Sequence, residues 1–186
     1  MEKKLLKKNP FNNYLPGDLK PEEKIARILR VNHAGEFGAK RIYDGQLAVL
    51  KGHRKITHMA NQELKHLEYF ENEMRKREVR PSLLSPFWHI GGYLMGSVTA
   101  LMGEKAAMAC TEAVEDVIQE HYANQLEDLG EEEPDLADKI KQFREEELEH
   151  HNEAIASGSR ETIGYSILTS VIKITSKIAI KVAERF

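Results

Sequence analysis
Four glutamates stand where a helix would put its core. Glu36 lies seven residues from both Leu29 and Tyr43, and Glu63 seven from both Ile56 and Phe70. Glu115 lies seven from Met108 and Tyr122, and Glu147 seven from Ile140 and Ala154. Seven residues are two helical turns, so each glutamate falls inside an apolar stripe. Carboxylates are almost never buried without a partner. Two of the four carry a histidine one turn on, as Glu63 with His66 and Glu147 with His150. Residues three apart share a helix face, so each histidine points where its glutamate points.

The segments carrying them read as helices. Pro21 with Glu22 and Glu23 is a helix start, and Gly52 a stop. Ile25, Leu29, Tyr43 and Leu50 mark its stripe. A second helix is expected from Arg54 to Arg80, ended by Pro81, with Ile56, Met59, Leu67, Phe70 and Met74 facing inward. A third runs from Gly103 to Gly130 through Met108, Ile118, Tyr122 and Leu129. The fourth runs from Pro134 to before Gly158 through Leu136, Ile140, Phe143 and Ala154. The segment 81–103 between the second and third contains no Asp, Glu, Lys or Arg. Its prolines and glycines argue against a bilayer span and for a half-buried crossover or a membrane-surface element. Two helical hairpins joined by one long crossover form an all-α, ferritin-like four-helix bundle. A fifth, C-terminal helix is amphipathic. Ile167, Val171, Ile174, Ile178 and Val182 form one face, and Lys173, Lys177 and Lys181 recur on another. It is expected to lie on a membrane surface, or to pack on the bundle with its lysines in water. Residues 1–20 read as a surface segment and 21–186 as one domain, with membrane-facing stretches at 81–103 and 163–186.

The glutamates of each hairpin are 27 and 32 residues apart. Antiparallel folding brings each pair level. Four buried carboxylates cannot remain together as bare anions, and two cations remove the objection. Glu36 and Glu115 are then terminal ligands, Glu63 and Glu147 bridge, and His66 and His150 each bind one metal. Hard oxygen donors with one imidazole per metal suit iron or manganese. His121 and Tyr122, near Glu115, are candidates to relay protons or electrons. His33 is a candidate to orient Glu36, or else a packing residue. Glu145, Glu146 and Glu149 leave the stripe and read as solvated, with some use behind the ligands, as do His58 and His151. The one cysteine, Cys110, lies among small residues and reads as a buried, inert thiol in a reducing compartment. Net charge is −3, which argues against nucleic acid as a partner.

The runs RVNHAGEFGAKRIYDGQLAVL, ELKHL, CTEAVEDVIQEHYANQ and FREEELEHH resemble the demethoxyubiquinone hydroxylase family of ubiquinone biosynthesis, from about Glu22 to the C-terminus. The resemblance implies two iron ions on Glu36, Glu63, His66, Glu115, Glu147 and His150. It implies a monooxygenase that adds one hydroxyl to a demethoxyquinone ring, with dioxygen and with electrons from NADH. The substrate is polyprenylated, so the expected location is peripheral on a membrane. For a bacterial protein this is the cytoplasmic face of the inner membrane, and for a mature eukaryotic form the matrix side of the mitochondrial inner membrane. The short N-terminus lacks the presequence of mitochondrial members and favours the bacterial reading. The residues leave open a homo-oligomer or a biosynthetic complex. The alternative is a ferroxidase or a rubrerythrin-like peroxidase on the same bundle. A rubredoxin-like site is missing with one cysteine. No GxGxxG loop is present, so an independent NADH domain is not expected.

Overall fold
A computed structural model describes residues 19–129 and 133–185, so the expected N-terminal surface segment lies almost wholly outside the described residues. Six helices follow in order: α1 Pro21–Val49, α2 Arg54–Lys76, α3 Ser85–Leu101, α4 Glu104–Leu129, α5 Pro134–Ala156 and α6 Tyr165–Ala183. There is no strand among the described residues. α1 packs on α2 and α4 on α5, with α3 as the crossover between the hairpins, and the whole is an all-α ferritin-like bundle.

Local chemistry sets the helix ends. Pro21 opens α1, and the Glu23 carboxylate reaches back to the Lys20 amide at 3.0 Å. His53 caps α2, its Nδ1 accepting from the Ile56 amide at 3.3 Å. α2 stops at Lys76, four residues before the expected Arg80. There Glu78 takes a left-handed conformation (φ 56), and the Val79 amide donates to the Met74 carbonyl at 2.9 Å. This closure normally uses glycine. Without one, no residue type marked the stop.

The apolar stripes of α1, α2, α4 and α5 interlock. Leu29, Phe70, Cys110, Ile118, Tyr122, Ile140 and Phe143 share one buried cluster, while Tyr43, Ile56, Met59, Met108 and Ala154 form a second. Burial holds the Cys110 thiol up at about 12, so it is inert, as expected.

The uncharged segment supplies a 17-residue helix laid tightly along α1. Its glycines are contact points. A Cβ on Gly92 would stand 2.8 Å from the Gly38 carbonyl oxygen, and one on Gly96 would run into the Ile42 carbonyl. Gly45 of α1 makes the reciprocal approach to Tyr93 and Ser97. Gly96→Ala is therefore expected to push α3 off α1 and cost about 1–3 kcal/mol, the usual range for overpacking a core. Denaturant unfolding of that variant beside Gly91→Ala, whose Cβ would meet open space, measures it; equal stability of the two would refute the contact.

α6 packs on the bundle, but with the face opposite to the one expected of a packed helix. Thr169, Ile172 and Ala183 face the bundle, while Ile167 and Val171 are 75% and 57% exposed. Two of the three lysines are paired across to α4. Lys173 pairs with Asp116, and Lys177 with Glu120 at 2.7 Å. Asp116 and Glu120 are one turn apart on α4, as are the two lysines on α6, so the charges lock in register. The connection is fastened by buried Glu112, which accepts from Ser159, from Arg160 at 3.0 Å and from the Tyr165 hydroxyl at 2.7 Å.

Candidate metal centre
The four core glutamates and two histidines converge between the hairpins. Glu36, Glu63, His66 and Glu147 form one group, and Glu63, Glu115, Glu147 and His150 another. Within each group one ligand-type atom per residue lies within 4.8 Å of the others. Glu63 and Glu147 belong to both. All six residues are buried, Glu63 and Glu147 completely.

The histidines aim their Nδ1 atoms inward. His66 Nδ1 is 3.0 Å from Glu147 and 3.5 Å from Glu36. His150 Nδ1 is 3.0 Å from Glu147 and 3.2 Å from Glu63. Two tyrosines close the ends. The Tyr43 hydroxyl of α1 donates to Glu115 of α4 at 2.6 Å, and that of Tyr122 of α4 donates to Glu36 of α1. Each tyrosine is two turns beyond the glutamate of its own helix, so the two helices exchange equivalent bonds. Burial, then the facing carboxylates, raises both hydroxyls well above their ordinary range, which keeps them protonated donors.

The electrostatics show what this cluster needs. Burial and the surrounding carboxylates push Glu63 well up, and burial with Glu147 does the same to Glu115. Burial works against the charge on Glu147 too, but the His150 hydrogen bond and the nearby His66 ring win and hold it at about 2. Burial opposes charge on His66, yet the Glu147 and Glu36 carboxylates beside it carry it to about 12. Protons thus stand in for missing positive charge. Even so, Glu36 Oε2, both Glu63 oxygens, His66 Nδ1, Glu115 Oε2 and Glu147 Oε1 have no hydrogen-bond partner. Buried polar atoms are seldom left so. The donor set of six oxygens and nitrogens, with shared carboxylates, fits two hard-to-borderline divalent cations.

The six sequence-derived residues are therefore brought together, and Tyr122 touches one of them. His121 is not joined to them. Its Nε2 accepts from the Gln125 amide at 2.7 Å, and Gln125 also donates to Asn32. Burial and the Arg27 charge lower it to about 4. His33 does not orient Glu36; it lies 3.8 Å from Glu71 and stacks on Phe37. Two participants lie outside the expected set, Tyr43, whose place in the stripe reads as core, and Gln62; Glu146 takes the place behind a ligand that its position suggests. Glu146 accepts from His66 Nε2 at 2.8 Å, and Gln62 from His150 Nε2 at 3.0 Å. The repeat Glu-x6-Tyr in α1 and α4, and the position just before each bridging-type glutamate, were the signals available.

Two openings lie near this centre, one of them touching it at His150. An apolar cavity of about 250 Å³ runs between α1, α3, α4 and α6. Its walls include Gly35, Gly38, Trp88 and Ile180, and Ala39 and Ile118 reach it one turn beyond Glu36 and Glu115. A polar one of about 310 Å³ lies between α2 and α5, bounded by His58, Gln62, Glu149 and His150.

Comparison with known proteins identifies the family. The profile of the family described as "Ubiquinone biosynthesis protein COQ7" matches residues 23–183. The chain is 48% identical over 176 residues to the 3-demethoxyubiquinol 3-hydroxylase of Rhodospirillum rubrum, covering 92% of this chain and 82% of that one. It is 46% identical over 171 residues to the mitochondrial NADPH-dependent 3-demethoxyubiquinone 3-hydroxylase of Bos taurus, covering 88% and 78%. It is 43% identical over 182 residues to the mitochondrial 5-demethoxyubiquinone hydroxylase of Saccharomyces cerevisiae, covering 87% and 78%. With a profile match that takes in every one of the six clustered residues, the chain belongs to the ubiquinone biosynthesis COQ7 family.

Proposed function
We propose that this protein is a di-iron monooxygenase that hydroxylates the ring of a demethoxyubiquinone, using dioxygen and electrons from a reduced nicotinamide. The resemblance names NADH as that donor, and the mammalian relatives' names specify NADPH. The observation that carries the reading is the pair of buried carboxylate–histidine groups sharing Glu63 and Glu147. Glu36 and His66 would hold one iron, Glu115 and His150 the other, and Glu63 and Glu147 both. Irons held there supply the reduction of dioxygen and the placement of one of its atoms on an aromatic ring.

The chain's residues do the rest. Tyr43 and Tyr122 fix one oxygen each of Glu115 and Glu36, leaving the second oxygen facing inward. Phe70 and Phe143 pack against the cluster, Phe143 with its ring centre 4.0 Å from that of His66, and keep water out. The apolar cavity has the lining and access a quinone ring with an aliphatic tail needs. That cavity favours the hydroxylase over a ferroxidase or peroxidase, whose substrates are small and polar. The test uses labelled dioxygen, reductant and a demethoxyquinone. One labelled oxygen is expected in the ring and none from labelled water. Iron oxidation with no label in the quinone would move the protein to the ferroxidase class.

The same reading places the protein at a membrane surface. No described helix is long and apolar enough to cross one. Instead α3 exposes Phe87, Ile90, Leu94, Val98 and Leu101, and α6 exposes Ile167, Val171, Ile174 and Ile178. Both helices wall the apolar cavity, so a tail could lie in lipid with the ring in the cavity beside the centre. Because Lys173 and Lys177 are engaged with α4, binding would be chiefly apolar. Sedimentation with neutral vesicles is expected, with weak salt dependence, and Leu94→Asp with Val171→Asp should remove it. Retention of binding by that double variant rules out this face.

A further inference from the structure
The two ends of the centre share a geometry and differ in one charge. The residue before each shared glutamate crosses to the opposite hairpin and takes the outer hydrogen of a histidine. At one end Glu146 accepts from His66 Nε2 at 2.8 Å; at the other Gln62 accepts from His150 Nε2 at 3.0 Å. In both rings Nε2 carries its hydrogen outward, and Nδ1 faces the carboxylates. The acceptor is an anion in one case and a neutral amide in the other. Glu146 is held in place by the Gln142 amide at 2.7 Å and remains partly hydrated, with 24% of its side chain exposed. Its two donors, His66 and Gln142, and its exposed edge let it keep its charge.

A carboxylate behind a metal-binding imidazole pulls on the N–H and makes the other nitrogen a stronger donor. An amide oxygen does so less. We propose that Glu146 makes the two metal positions unequal: the position of His66 and Glu36 binds its cation more tightly and fills first, and the position of His150 and Glu115 fills second. Glu146 is a positioning residue, acting through His66 without touching metal or substrate. Gln62 is its weaker counterpart. The inference rests on the ligand assignment proposed above.

Cobalt(II) added to the purified full-length protein tests it without turnover. Two readouts are followed during titration: the stepwise affinities, and the shifted proton signals of the two imidazole N–H groups beside a paramagnetic ion. In the wild type one N–H signal is expected with the first equivalent and the other with the second. Glu146→Gln should weaken the first step about 10–100-fold and move the first signal, the range seen when such partners of metal-bound histidines are removed. Gln62→Glu should tighten the second step and move the second signal. The exchanged pair, Glu146→Gln with Gln62→Glu, should restore two unequal steps with the order of the signals reversed. A role for Glu146 confined to packing predicts no such reversal. An unchanged signal order in the exchanged protein overturns the proposal. Should Glu146→Gln not fold, Gln62→Glu decides alone, and an unaltered second step overturns it. A wild type that takes up no cobalt defeats the ligand assignment itself, which is a separate result.

Discussion

Glu147→Gln is expected to yield a folded protein that holds iron poorly and hydroxylates no quinone. Glu147 is fully buried and approaches both histidines, one with each oxygen, each at 3.0 Å. No other carboxylate of the cluster pairs with both histidines. Replacing it by an amide keeps the volume and removes the charge. If losing this anionic donor weakens the metal by what breaking a buried charge pair costs, about 3–5 kcal/mol, affinity falls by roughly two to four powers of ten. The fold should suffer less, because Phe70, Phe143, Met59 and Met108 pack around the site without using that charge. Iron per chain, far-ultraviolet circular dichroism and product formation are the measurements. Two irons per chain with full turnover would remove Glu147 from the centre.

The six converging residues were legible because burial and charge conflict. A glutamate inside an apolar stripe is a local contradiction, and four at equivalent heptad positions point to one shared answer. The bundle was legible for the same reason: its stripes face a single core. What escaped depended on pairing across helices. Tyr43 has an ordinary place in the α1 stripe; only the position of α4 shows its hydroxyl meeting Glu115. Glu146 reads as a residue behind the ligands, but which ligand it serves does not, because His66 is 80 residues away. The lysines of α6 read as a free basic face until Asp116 and Glu120 stood opposite them, and that pairing turned the isoleucines outward. The glycines of α3 looked like breakers. They permit backbone contact with α1, a property of the helix pair and not of either helix.

Gly38→Phe separates quinone chemistry from iron chemistry. Gly38 lies two residues beyond Glu36 on α1 and lines the apolar cavity, and a Cβ added there meets nothing within 4 Å. A mid-helix glycine with room beside it is a position where a larger residue is tolerated, since phenylalanine favours the helix over glycine by a few tenths of a kcal/mol. The new ring would occupy much of a space of about 250 Å³. None of the six clustered residues contributes to that cavity's wall, so metal content should stay near two per chain and ferrous iron should still be oxidised. A quinone ring would be held away from the reacting position, and displacement by even about 1 Å commonly costs about 10²-fold in rate. The expected result is therefore hydroxylation reduced by two powers of ten or more, with iron binding and oxidation intact. A ferroxidase would be indifferent to the substitution. Wild-type hydroxylation by Gly38→Phe, with both short-tailed and long-tailed quinones, would show that the substrate approaches by another route, such as the polar opening beside His150.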